Sequence, residues 1–182
     1  MTRQYVALLR GINVGGHRIK MDRLRGLFEE LDFQDVSTFI ASGNVLFSSD
    51  SRDADGLRAS IESHLERELG YEVQTFLRTP AELAAITQTD VSEDRDGESP
   101  PPSHYVIFLH EPASGSLRAT FADLESEMDA FRFSGREIHW RIRGKMSESP
   151  LFGGDLERAT RGLPATTRNM NTLRRLVAKT RL

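Results

Sequence analysis

Five apolar residues in a row, Tyr5-Val6-Ala7-Leu8-Leu9, followed at once by a glycine-rich stretch, constrain this chain more than any other feature. A short continuous apolar run bounded by turn residues reads as a strand buried on both faces. Such a strand belongs in the middle of a sheet. Gly11, Gly15 and Gly16, with Arg10, Asn13 and His17 among them, form the loop at its end, and that loop is a natural place for a site.

The rest of the first half supplies the partners of that strand. Met21, Leu24, Leu27, Phe28 and Leu31 recur at helical spacing and predict a helix over roughly 20–32. Val36 to Ala41 and Asn44 to Ser48 read as strands, joined by Ser42-Gly43-Asn44, whose Gly and Asn tolerate positive φ. Leu57, Ile61, Leu65 and Leu69 mark a second helix that Gly70 stops, and Tyr71 to Arg78 is a fourth strand. The order βαββαβ folds as a ferredoxin-like plait. Thr79-Pro80-Ala81-Glu82 then carries a capping box with Pro at the first helical position, so a short helix runs to about Thr87. Residues 88–103, with Pro100 to Pro102, read as a linker.

The second half repeats the order less regularly. His104 to Leu109 is a strand; Leu117, Phe121, Leu124 and Met128 line a helix face; Ala130 to Phe133 and Glu137 to Arg143 are strands joined through Ser134-Gly135. Leu156 and Ala159 suggest a short helix, Ala165 to Arg168 a last strand, and Met170, Leu173, Leu176 and Val177 a terminal helix. The expectation is an α+β protein of two tandem ferredoxin-like subdomains. The first is 1–79, the helix and Pro-rich linker 80–103, and the second, with the C-terminal helix, 104–182.

Composition narrows the function classes. At 38% hydrophobic and 28% charged residues the chain is of the soluble globular class, and no apolar run is long enough to cross a bilayer. The absence of cysteine excludes disulfides, thiolate nucleophiles and cysteine-ligated metal sites. Met1-Thr2-Arg3-Gln4 leads straight into a strand rather than a signal sequence, so a cytoplasmic location is expected. Residues 136–182 hold eleven Lys/Arg against four Asp/Glu, a balance of +7, whereas residues 1–135 stand at −10. A basic end of this kind suits an anionic small molecule or nucleic acid, or docks on the acidic body of its own chain or of a second copy in a homodimer.

Topology brings two polar clusters together. In a right-handed βαβ unit the first two strands run parallel, so the Arg10–Gly16 loop and the Ser42-Gly43-Asn44 hairpin share one sheet edge. Arg10, Asn13, His17, Ser42 and Asn44 are ligand candidates there, although Gly and Asn at strand ends also simply form turns. Gly11 to Gly16 has the outer spacing of a P-loop, but His17-Arg18 stands where Lys and Ser/Thr belong, so nucleotide hydrolysis is disfavoured while anion binding is not. A third cluster, Thr166 to Thr172, contributes Arg168, Asn169, Asn171 and Thr172. The histidines show no metal-ligand spacing and no G-x-S-x-G surrounds a serine, so neither a metal, a cofactor nor a serine nucleophile is expected. RNA-recognition plaits carry a basic–Gly–aromatic pattern that Asn44-Val45-Leu46-Phe47 lacks.

Ala7-Leu8-Leu9-Arg10-Gly11-Ile12-Asn13-Val14-Gly15-Gly16, Ser42-Gly43-Asn44-Val45 and Pro164-Ala165-Thr166-Thr167-Arg168-Asn169 resemble a bacterial family catalogued as domain of unknown function sixteen ninety-seven. The resemblance implies two plait-like subdomains and no established activity. The family usually shows Trp between the two asparagines of the last motif; Met170 stands there in this chain, while Arg168, Asn169, Asn171 and Thr172 match. Three readings of function follow: a binding protein for a phosphate-bearing metabolite or single-stranded nucleic acid, a small metal-free enzyme using Arg, Asn, Ser and Thr groups with His17 as the nearest base, or an interaction module. Whether the chain is an enzyme stays open at this point.

Overall fold

A computed structural model describes residues 2–13, 15–40, 43–89, 102–151 and 154–180. The first half contains β1 (Arg3–Arg10), α1 (Met21–Glu29), β2 (Gln34–Phe39), β3 (Asn44–Ser49), α2 (Ala54–Leu69), β4 (Gln74–Arg78) and α3 (Pro80–Gln88). The second contains β5 (Ser103–Leu109), α4 (Gly115–Ala122), β6 (Asp129–Ser134), β7 (Glu137–Ile142), α5 (Asp155–Ala159), β8 (Ala165–Asn169) and α6 (Met170–Val177). By internal contacts the chain divides into one unit of Met1–Ala85 with Arg175–Leu182 and another of Ile86–Arg174. The Pro-rich residues of the linker expected at 88–103 lie, up to Pro101, outside the described residues.

Each half forms a four-stranded antiparallel sheet, ordered β2-β3-β1-β4 and β6-β7-β5-β8. Both are the ferredoxin-like arrangement, and the fold is α+β. In the first, β1 is central and flanked by β3 and β4, which is why Val6, Ala7 and Leu8 are fully buried. Period-two alternation sends Tyr5, Ala7, Leu9, Val45, Phe47 and Leu77 into one apolar cluster with Leu24, Leu27 and Phe28 of α1 and Leu57, Ile61 and Leu65 of α2. The opposite face, with Val6, Leu8, Leu46 and Phe76, is buried as well.

Local chemistry sets the helix limits. Asp53 accepts from the Gly56 amide to start α2, and Gly70, at φ 77°, closes it in the left-handed conformation. Thr79 and Glu82 make the reciprocal capping box of α3, with Glu82 Oε2 2.7 Å from the Thr79 amide. The helix α4 stops at Ala122, short of the expected reach to Met128. Leu124 and Met128 keep a core role, packing from the following turn against the cluster of Trp140, Ile142 and Leu151. Among the described residues no helix is long and apolar enough to cross a membrane.

Candidate functional site

The first sheet converges at the C-terminal end of β1. The Leu9 amide donates to the Gly43 carbonyl at 2.8 Å, and Leu8 faces Asn44 across the ladder, so the β2–β3 hairpin lies beside the β1–α1 loop. Because β4 is antiparallel to β1, the α2–β4 connection arrives at the same edge and brings Tyr71 and Gln74 there. Ser42 lies outside the described residues.

Gly43 makes the close approach possible. Its φ is 73°, and a Cβ at that position would sit 2.6 Å from Ile12 Cγ2 and 3.2 Å from Leu9 Cβ. Gly43→Ala combines a left-handed backbone cost with overpacking, and is expected to destabilise the protein by about 2–4 kcal/mol. Urea unfolding compared with the native protein checks it, and a loss below about 0.5 kcal/mol would show that the hairpin moves aside freely.

The two asparagines of this edge close turns. Asn13 Oδ1 accepts from the Ile19 amide at 2.8 Å, fixing the loop ahead of α1. Asn44 is fully buried and its Nδ2 donates to the Phe39 carbonyl at 3.0 Å, across the hairpin. The cationic and aromatic groups behave differently. Arg10 ends β1 exposed, and its Nη1 donates to Gln74 Oε1 at 3.3 Å. The His17 ring is exposed and stacks on Tyr71 with centroids 3.8 Å apart. Tyr71 in turn donates its hydroxyl to the Ile12 carbonyl at 3.1 Å, and burial raises that hydroxyl's pKa. Gly15 and Gly16 take positive φ with open space around them, and Arg18 and Lys20 stand exposed beyond. Lys20 is the N-cap of α1 and contributes no side-chain cap, so the first amides of that helix lack this partner.

The other four candidates belong to the second unit. Arg168, on β8, is buried; its Nη1 donates to Thr166 Oγ1 at 2.8 Å and to the Thr167 carbonyl at 3.0 Å. Burial lowers its pKa to about 10, since a guanidinium withdrawn from water loses hydration. Asn169 Oδ1 accepts from the Asn171 amide at 2.8 Å, which starts α6. Asn171 is exposed and Thr172 half-buried, whereas Met170, in the place of the aromatic, is core. The internal repeat extends to Arg168. Val106 faces Arg168 across β5–β8 as Val6 faces Arg78 across β1–β4, and Arg78 Nη1 likewise donates to the carbonyl of the preceding residue, Leu77, at 2.8 Å.

Two groupings escaped the sequence reading. Tyr71 and Gln74 join the loop edge, a consequence of the βαββαβ order that topology alone would have revealed. Glu30, His64 and Glu68 bring potential metal-ligand atoms within 4.8 Å of one another. Arg23 binds both carboxylates, at 2.6 Å to Glu30 and 3.1 Å to Glu68, and Arg67 meets His64 Nδ1. The Arg23 hydrogen bond holds the Glu30 carboxyl below the usual range. Two guanidiniums already occupy this cluster, which ties α1 to α2.

The comparisons with known proteins agree with this architecture. Residues 1–139 match DUF1697, described as a protein of unknown function. The chain belongs to that family. The match takes in the β1–α1 loop and the hairpin and ends before the Thr166–Thr172 stretch. Among solved structures, the conserved bacterial protein SP0830 from Streptococcus pneumoniae is similar with a TM-score of 0.76 and 23% identity, over 98% of each chain. At that identity the likeness speaks for the fold. No curated protein matches the chain.

Proposed function

We propose that this member of the DUF1697 family is a binding protein for an anionic, phosphate-bearing ligand, taken at the β1–α1 loop. One observation carries the reading: Arg10, His17, Arg18 and Lys20 are all exposed around an open Gly15-Gly16 pair, and no acidic residue occurs from Arg10 to Met21. Glycines at positive φ let backbone amides turn outward, and the start of α1, where Lys20 gives no side-chain cap, adds the positive end of a helix dipole that Asp22 in the first turn offsets in part. The His17–Tyr71 stack supplies an aromatic surface beside them, suited to a base or another flat group. Phosphate-bearing metabolites and single-stranded nucleic acid share this chemistry.

The test is titration of the protein with pyrophosphate, a nucleotide set and a single-stranded oligonucleotide at two salt concentrations. Affinity should fall as salt rises. Arg10→Ala should weaken binding by about 1.5–3 kcal/mol, the value of a charge-assisted hydrogen bond. Its melting temperature should stay near the native one, because Arg10 is exposed. Arg10→Lys should recover part of the loss, since an ammonium lacks the planar fork. Equal binding by Arg10→Ala would remove this reading.

A second reading, an interaction module, is favoured by the asparagines. Asn13, Asn44 and Asn169 each satisfy neighbouring backbone, as turn closers do. It gains if none of the probes binds.

A further inference from the structure

The two halves repeat one topology, so each shows what that topology needs. Leu9 donates its amide to the Gly43 carbonyl at 2.8 Å, where β1 meets the β2–β3 hairpin, and Leu109 donates to the Arg136 carbonyl at 2.9 Å, where β5 meets the β6–β7 hairpin. The connections that follow differ. From β5 to α4 the chain uses residues 110–114, and Ser114 Oγ closes the helix start by accepting from the Leu117 amide at 3.1 Å. From β1 to α1 it uses residues 11–20, twice that length, and Lys20 gives the helix no side-chain cap. Five residues serve the fold, so the added chain of the first half serves something else.

That added chain is held out from the body. Asn13 Oδ1 pins the loop by accepting from the Ile19 amide at 2.8 Å, and Gly15, Gly16, His17 and Arg18 between them are exposed. A Cβ on Gly15 or Gly16 would meet nothing within 4 Å, which leaves the backbone there open to close approach. The His17 ring lies on Tyr71 with centroids 3.8 Å apart and 23° between planes. Tyr71 is itself fixed, its hydroxyl on the Ile12 carbonyl and its ring against the apolar cluster of the first sheet. The stack therefore runs from core to Tyr71 to His17 to solvent and ends in a flat, backed surface. Covering Tyr71 would account for the stack, but not for the glycine pair or the added length.

Charge alone does not select a ligand here. Arg10 is joined to Gln74, Gln74 donates to Glu72, and Asp22 stands in the first turn of α1, so carboxylates temper the cations of this edge. Ring geometry is more selective. We propose that the ligand of this loop is a free nucleotide, its base stacked on the outer face of His17 and its phosphate on the Gly15-Gly16 backbone; the proposal rests on the phosphate-binding reading of the loop. A strand fits less well, because successive bases need successive platforms. Residues 11–20, 40–43 and 70–73, which meet at this edge, hold one aromatic ring besides His17, and it is Tyr71, which His17 already covers.

The full-length protein is titrated by calorimetry at pH 8, where a free imidazole is neutral, with AMP, ribose 5-phosphate, pyrophosphate and an oligoadenylate. AMP and ribose 5-phosphate differ only by the base, and AMP should bind at least about fivefold more tightly, the effect of stacking one base. His17→Ala should bring the ratio of the two affinities close to one, and His17→Phe, which keeps a flat ring, should preserve it. In proton NMR the His17 ring signals should move upfield with AMP and not with ribose 5-phosphate. Equal affinities in the native protein, or a ratio that survives His17→Ala, overturn the nucleotide and leave the phosphate-binding reading standing. Failure of AMP, ribose 5-phosphate and pyrophosphate alike removes both. An oligoadenylate that binds more than about tenfold tighter than AMP overturns the free nucleotide in favour of a strand.

Discussion

Replacing Asp129 with alanine is expected to destabilise the protein by about 2–4 kcal/mol. Asp129 is 1% exposed at the start of β6. Its Oδ1 accepts from the Trp140 indole at 2.7 Å and from Ser149 Oγ at 2.8 Å, and its Oδ2 accepts from Ser126 Oγ at 3.2 Å. Removing the carboxylate leaves a buried indole N–H and a buried hydroxyl facing an apolar methyl, and each such group costs its full desolvation. The release of a carboxylate from burial offsets part of that loss but leaves the two donors unpaired. Asp129→Asn keeps an acceptor for one donor and should lose about half as much. Trp140 is the single tryptophan of the chain, so its fluorescence during urea unfolding reads the affected core directly. A loss under about 1 kcal/mol for the alanine variant would mean that water replaces the carboxylate and that the cluster is looser than its geometry.

How far the sequence discloses this molecule depends on which residues speak for themselves. The Tyr5–Leu9 run needed only its glycine-rich boundary as context, because a short apolar run stopped by turn residues suits a central strand, and β1 is flanked on both edges. Gly70 and the Thr79–Glu82 pair were legible for the same local reason: their chemistry is complete within a few residues. Leu124 and Met128 misled because apolar spacing records packing and not helicity, and a turn held by Ser126 Oγ on the Met128 and Asp129 amides leaves both half-buried against the same core. At the loop, the neighbourhood of Arg10, Asn13 and Asn44 followed from topology. The division of labour did not follow, since a turn-closing asparagine and a ligand-binding one are the same letter. The least legible part was the polar side of the second sheet. Arg132, His139 and Arg141 alternate with apolar residues as on any half-solvated strand, and only the structure shows His139 withdrawn from water.

That withdrawal predicts a loss of stability in mild acid. His139 and His104 titrate near 4 in the folded protein, against 6.5 for a free imidazole. Burial is the larger cause for both; Arg132 adds to it at His139, and His139 and Arg174 add to it at His104. Arg141 and Glu137 share that face, and Glu125, Glu127 and Asp129 line a cavity beside His139. A folded pKa below the unfolded one means that the unfolded chain binds more protons between the two values. Stability is therefore complete above pH 6.5, falls as pH drops from 6.5 towards 4, and the loss is finished below 4. At about 1.4 kcal/mol per unit, His139 alone contributes on the order of 3 kcal/mol to that fall. Because the two rings touch, the pair titrates as one system and the two losses do not simply add. Denaturant unfolding at pH 7.0, 6.0, 5.0 and 4.5 measures it, with His139→Gln as the comparison, since glutamine keeps a hydrogen-bonding group towards His104 and does not titrate. Carboxylates protonate over the lower part of the range in both proteins, so the informative quantity is the difference between the two curves. The native protein should lose more stability than the variant between pH 6.5 and 4.5. Parallel curves would show that His139 accepts a proton in the folded state as readily as in water, and that the guanidiniums around it are screened or turned away.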